Sequence, residues 1–220
     1  MDVDIEYLKA HYAGMARKYD STRRVEAAQK TKEGILEAAF KLHGMGIFDL
    51  ESLASEANVS LATVRKYFPT RDELLIGCTT WGMRYAVFPD IDEIAAVGGR
   101  EERLRAGVAQ MHRLYDSLFP HIWATYQNKD DSPVLDALIE QFDLVTGPVC
   151  DVVLAAWPAD IASDLEARGV LRGLLSYLTY YALIREGGLS PEQAHGRIVE
   201  ALLNSLQAMA RRSRKEGANV

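Results

Sequence analysis

The 220-residue sequence predicts an all-α fold, in which a three-helix N-terminal domain containing a helix-turn-helix precedes a larger helical bundle. Two observations carry that prediction. Apolar residues recur at spacings of three and four over most of the length, while no stretch sustains the period-two alternation of a half-buried strand. Glycine, proline and asparagine then punctuate the pattern at intervals suited to helix ends. With 48% hydrophobic residues the chain has ample material for a packed core.

Taken in order, Ile5, Leu8, Tyr12, Met15 and Tyr19 line one face of a short amphipathic helix that is expected to stop before Asp20 and Ser21 and to dock on something. A second helix starts near Ser21 or Thr31 and runs to His43, with Ile35, Ala38, Ala39 and Leu42 inward, until Gly44 and Gly46 end it. After the segment Asp49 to Leu75, further helices are expected at Asp72 to Val87, Arg100 to Phe119, Pro133 to Trp157, Asp160 to Arg185 and Ser190 to Arg212. Breaks fall at Pro89, Gly98-Gly99, Asn128 to Ser132, Pro158 and Gly187-Gly188. The short basic run Arg211 to Lys215 reads as a frayed tail. This gives three parts: an extension over 1–24, a helix-turn-helix domain over 25–75 and a C-terminal domain over 76–220.

Composition narrows the function. No apolar run approaches the roughly 18 residues of a membrane span, and three carboxylates within Met1 to Ala10 are unlike a secretion signal, so a cytoplasmic address is expected. Cys78 and Cys150 form no CxxC pair and read as buried thiols. His112 and His121 lack metal-ligand spacing, so neither a metal nor a cofactor is expected. The pattern contains no GxGxxG, P-loop, GxSxG or HExxH, and an enzyme is not expected. The net charge of -6 is unevenly spread: Met15 to Arg71 holds ten Lys/Arg against seven Asp/Glu, which leaves -9 for the rest. A basic head on an acidic body lets the head alone meet a polyanionic partner despite the negative sum.

The stretch Asp49 to Leu75, DLESLASEANVSLATVRKYFPTRDELL, is the most informative. Asp49 caps a first short helix with Leu50, Leu53, Ala54 and Ala57 inward, and the small Ala54 permits close helix approach. Asn58 stands where the chain reverses at positive φ, a conformation asparagine tolerates better than most residues, and Val59 plugs the corner. Ser60 caps a second helix that returns Val64 and Tyr67 to the core and leaves Leu61, Ala62, Thr63, Arg65 and Lys66 outward. Such a face suits a major groove, where cations meet guanine edges or phosphates and small apolar groups meet thymine methyls. Apolar spacing alone would fit any tight helix pair.

Together, Ile35 to Ala39, the glycine-bearing turn and LASEANVSLATVRKYFPTRDELL resemble the N-terminal domain of the TetR family of transcriptional regulators in order and spacing, over about a quarter of the chain. Three positions depart from the family pattern: Asn58 replaces Gly, Arg65 occupies the usual Tyr, and Arg71 stands for Lys at the next helix. The resemblance implies that Thr63, Arg65, Lys66 and Tyr67 touch DNA with Arg71 near the backbone, while Leu61, Ala62 and Thr63 read bases. With the cap Ser60, these residues make up the expected operator-binding set. Upstream, Arg17, Lys18, Arg23, Arg24, Lys30 and Lys32 form either an arm reaching a minor groove or a solvated helix face.

Beyond residue 76 the chain carries large side chains at helical spacing: Trp81, Tyr85, Met111, Tyr115, Phe119, Trp123, Phe142 and Tyr177. Most belong to a core, yet rings with polar tips and flexible methionine also suit a pocket for a small, largely apolar effector. The resemblance implies such a pocket inside the bundle. Two later stripes, Leu171, Leu174, Leu175, Leu178 and Ala182, then Ile198, Leu202, Leu206 and Met209, form either intrachain packing or the contact surface of a homodimer. A dimer lets two recognition helices meet successive major grooves about 34 Å apart. The expected function is therefore a regulator, by default a repressor, whose affinity for a double-stranded operator is set by an effector, with the helix Asp72 to Val87 as lever. An all-α protein-interaction or small-molecule-binding module without DNA binding is the rival.

Overall fold

A computed structural model describes the backbone of residues 5–217 and the side chains of residues 23–215 except 143. Among the described residues every regular element is helical. The chain divides into two units, 1–81 and 82–220.

The first unit holds α1 (Ile5–Gly44), α2 (Leu50–Glu56), α3 (Leu61–Tyr67) and most of α4 (Arg71–Gly82). Where the sequence suggested two helices before Gly44, α1 is continuous over 40 residues. Asp20 and Ser21 can cap a helix only where the backbone leaves helical geometry, and no glycine or proline stands between Met15 and Glu33 to force it out. The docking face from Ile5 to Tyr19, together with Arg17 and Lys18, lies outside the residues whose side chains are described. Arg23, Arg24, Lys30 and Lys32 are exposed on α1. Its other end is firmly seated: Ile35, Leu36, Ala38, Ala39 and Leu42 join Leu53, Ala54, Val64, Phe68, Leu74 and Cys78 in one core. The Cys78 thiol lies 3.2 Å from His43 Nδ1, and burial pushes its pKa up to about 12, so it is an inert packing group.

The helix expected to reach Val87 stops at Gly82, where hydrogen bonds donated by the Tyr85 and Ala86 amides to the carbonyls of Gly82 and Met83 turn the chain. Then comes α5 (Ile91–Ala96), which the periodicity missed. Its signal was the Asp90 cap, accepting from the Glu93 amide at 2.9 Å.

The second unit is built around α6 (Arg100–Ser117), which packs on α8 (Pro133–Leu154) and α12 (Pro191–Gly217). Leu104, Val108, Met111, Leu114 and Tyr115 are all buried. At Gly107 a Cβ would meet Val153 Cγ2 at 2.7 Å, so the α6 to α8 approach depends on that glycine. A separate α7 (Phe119–Asn128) follows α6 where a single helix end was expected. The stretch read as one helix, Asp160 to Arg185, is broken into α9 (Ala159–Ala162), α10 (Leu165–Leu174), α11 (Tyr177–Tyr181) and a π-helical segment Ala182–Glu186. Asp164 and Ser176 make the breaks, each accepting from a main-chain amide as an N-cap.

The two apolar stripes expected at a dimer surface are largely turned into the chain's own core. Leu171, Leu175, Ile198, Leu202, Leu206 and Met209 are buried, because they pack α10 and α12 against each other and against the bundle. Leu178 is exposed, and Leu174 and Ala182 are partly so. Both thiols are buried, Cys150 like Cys78. Among the described residues no helix is long and apolar enough to cross a membrane.

Candidate functional site

The outer face of α3 is assembled by three local devices. Asp49 accepts from the Ser52 amide at 2.7 Å and starts α2; the Val59 amide returns to the Ala54 carbonyl at 3.0 Å and closes the corner; Ser60 accepts from the Thr63 amide at 3.1 Å and starts α3. Between the two helices Asn58 adopts φ of +52°, as the reversal demands. Val64 is fully buried and fixes the rotation of α3, so the positions beside it in sequence point away.

Ala62, Arg65 and Lys66 are exposed. Thr63 is half-buried, and its hydroxyl pairs with that of Ser60 at 2.8 Å. The Lys66 ammonium lies 5.6 Å from the centre of the Tyr67 ring, a cation held over an aromatic face. Tyr67 is half-buried, with its ring against the core. Leu61 differs from expectation: it packs against the core with Val59 rather than standing outward, because the first residue of a helix projects back over the preceding turn. Arg71 is exposed at the first position of α4, where Thr70 caps the helix by accepting from the Glu73 amide at 3.2 Å. The Thr70 to Glu73 pair is a start signal that was readable and went unread.

In the second unit a cavity of about 330 Å³ is walled by five helices. Tyr115, Phe142 and Tyr177 line it, as the ring pattern anticipated. They are joined by Tyr126, Thr146, Ser176 and Arg172, with Gly169 and Gly173 opening the wall. Tyr177 donates to the Phe119 carbonyl at 2.7 Å, and burial pushes its phenol well above the usual range, so it is a neutral donor. Tyr115 likewise donates to the Leu175 carbonyl at 2.5 Å, while its ring stands edge-on to Tyr177 with centroids 5.6 Å apart.

The remaining residues of the expected pocket lie elsewhere. Trp81 packs on the core of the first unit, Tyr85 is exposed, and Met111 is fully buried within the bundle. Phe119 and Trp123 belong to a stack on Tyr181, with centroids 5.8 Å and 3.9 Å from it.

No family model and no curated protein matches the sequence. Among the solved structures similar to the chain are two transcription regulators. A TetR transcription regulator from Haloarcula marismortui ATCC 43049 is 19% identical and covers 79% of this chain and 97% of its own, with a TM-score of 0.56. A TetR transcriptional regulator from Rhodococcus sp. RHA1 is 18% identical over 81% of this chain and 96% of its own, with a TM-score of 0.45. From the first of these likenesses, and from the helix-turn-helix and bundle described above, the chain is built on the fold of the TetR transcription regulators.

Proposed function

We propose that the chain is a homodimeric transcription regulator that binds a duplex operator through α3 and releases or retains it according to a small molecule held in the second unit. The observation that carries the reading is the outer face of α3, where Arg65 and Lys66 stand exposed on a helix whose opposite side is anchored by a fully buried Val64. Cations so placed can reach phosphates and guanine edges in a major groove, while Ala62 and the Thr63 methyl can meet thymine methyls. Ser60, Tyr67 and Arg71 frame that face and supply backbone contacts. The Haloarcula structure, described as a transcription regulator, supports the same role here.

The cavity supports effector binding, since its volume lies near the lower end of the range for small-molecule sites. Its lining is more polar than a purely apolar effector requires: Arg172 and three tyrosine rings favour an aromatic or unsaturated molecule with an acceptor group. Dimerisation would use the residues of the α10 to α12 region that remain outside, among them Leu174, Leu178 and Ala182.

Fluorescence anisotropy on DNA flanking the chain's own gene, at fixed salt, tests the reading. Arg65→Ala is expected to weaken binding roughly 5- to 150-fold, the range for one bidentate base contact. Unchanged affinity removes Arg65 from the interface. Gly169→Leu places a side chain where a Cβ meets nothing within 4 Å, and is expected to abolish the effector response while leaving operator binding intact.

A further inference from the structure

A second cavity, of about 260 Å³, lies apart from the ring-lined one and is walled by Arg100, Trp157, Gln207, Ala210, Arg211 and Arg214. The run that the sequence offered as a frayed tail is here the last part of α12, which stays helical through Gly217. Three guanidinium groups from two helices thus line one small cleft, and among the described residues no carboxylate lines it. Neighbouring carboxylates already have partners: Glu101 accepts from Gln207 Nε2 at 3.0 Å, Asp160 is held low chiefly by a hydrogen bond from Ser213 and least by the charge of Arg214, and Glu166 faces Arg212 at 3.8 Å.

Two features make this more than a cationic surface. Arg214 at the end of α12 has an ordinary explanation, because helix C-termini favour cations. Arg100 has the opposite situation: it opens α6, where the dipole disfavours a positive charge. Its guanidinium carbon sits 5.1 Å from the centre of the Trp157 ring, which steers it to the cleft. Trp157 itself is buried, and its indole N–H has no acceptor among the described residues. Buried donors without acceptors are rare, and such a group is explained when something else brings the acceptor.

We infer that this cleft is a binding site for a small phosphorylated metabolite, recognised through its phosphate oxygens by Arg100, Arg211 and Arg214 beside Trp157. A phosphate group offers acceptors only, in the geometry that guanidinium forks match bidentately. The volume exceeds that of inorganic phosphate and leaves room for a second phosphate or a small organic moiety. Neither the operator nor the effector enters this inference, so it stands or falls independently of the proposed function.

Calorimetric titration of pyrophosphate into the full chain, with ionic strength held constant by sodium chloride, tests it. The indole N–H resonance of Trp157, assigned by loss in Trp157→Phe, is followed in parallel by NMR. Saturable binding of one pyrophosphate per chain is expected, with a shift of that resonance, and affinity at least tenfold weaker in Arg211→Gln/Arg214→Gln. Should that variant fail to fold, Arg100→Gln tests the same site from α6. Binding that does not saturate, a stationary Trp157 resonance, or equal affinity in wild type and folded variants overturns the proposal. Citrate binding as tightly as pyrophosphate overturns the assignment to phosphate.

Discussion

The two units place their chemistry in opposite ways. In the first, the candidate surface is convex and local: from Asp49 to Arg71, caps, turn and outward cations lie within one short stretch of chain, and the core lies behind them. In the second, the candidate site is concave and non-local, drawing Tyr115, Phe142, Arg172 and Tyr177 from four helices. A surface of the first kind depends on helix rotation, which one buried residue such as Val64 can fix. A cavity of the second kind depends on the packing of every wall, so it is sensitive to whatever disturbs the bundle.

The largest expected effect separates the two stabilities. Leu53→Ala removes a buried side chain from the first core and should cost about 3 kcal/mol there. Hydrogen exchange resolved by segment should show protection lost in α2 and α3 while α6 and α8 keep theirs; equal loss in both would make the chain one cooperative unit.

The next effect is confined to the second unit. His112 is buried on α6, neither ring nitrogen has a hydrogen-bond partner among the described residues, and burial first, with His195 second, lowers its pKa to about 3. The folded state therefore holds the imidazole neutral while the unfolded chain protonates below about 6.5, so stability is complete above that pH and drains as pH falls towards 3. Between pH 6.5 and 5 the loss should be about 2 kcal/mol. In His112→Leu the slope from this group should vanish in acid-titrated thermal melts, and an unchanged slope would place the proton uptake elsewhere.

Smaller effects return to the first unit. Ser60→Ala removes the cap of α3 and should cost about 1 kcal/mol in denaturant melts, with operator affinity falling as the helix frays. Asn58→Gly should change stability by under about 0.5 kcal/mol, since glycine accepts the left-handed backbone freely but loses more entropy on folding. A larger loss would show that the Asn58 side chain has a role of its own.

The same contrast explains what the sequence made legible. Caps, the reversal at Asn58 and the inward set Leu53, Ala54 and Val64 were readable because each follows from residues a few positions apart. Leu61 was misplaced because a helix's first residue escapes the periodic rule that governs the rest. Large rings pointed to Tyr115, Phe142 and Tyr177, but nothing local tells an arginine lining a cavity from one in solvent, and Arg172 was missed. The leucines at 171, 175, 202 and 206 show the limit well: a stripe announces that a helix face is buried, not whether the covering surface belongs to the same chain.

Gly169 and Gly173 leave open space where side chains would begin, on the same wall of the ring-lined cavity. Single replacements there can narrow the chamber stepwise, alanine before valine before leucine, without disturbing neighbouring helices, and each would also favour helix formation in α10. Under the proposed function, ligand preference is thus open to evolutionary drift by point mutation, at little risk to the scaffold around the chamber.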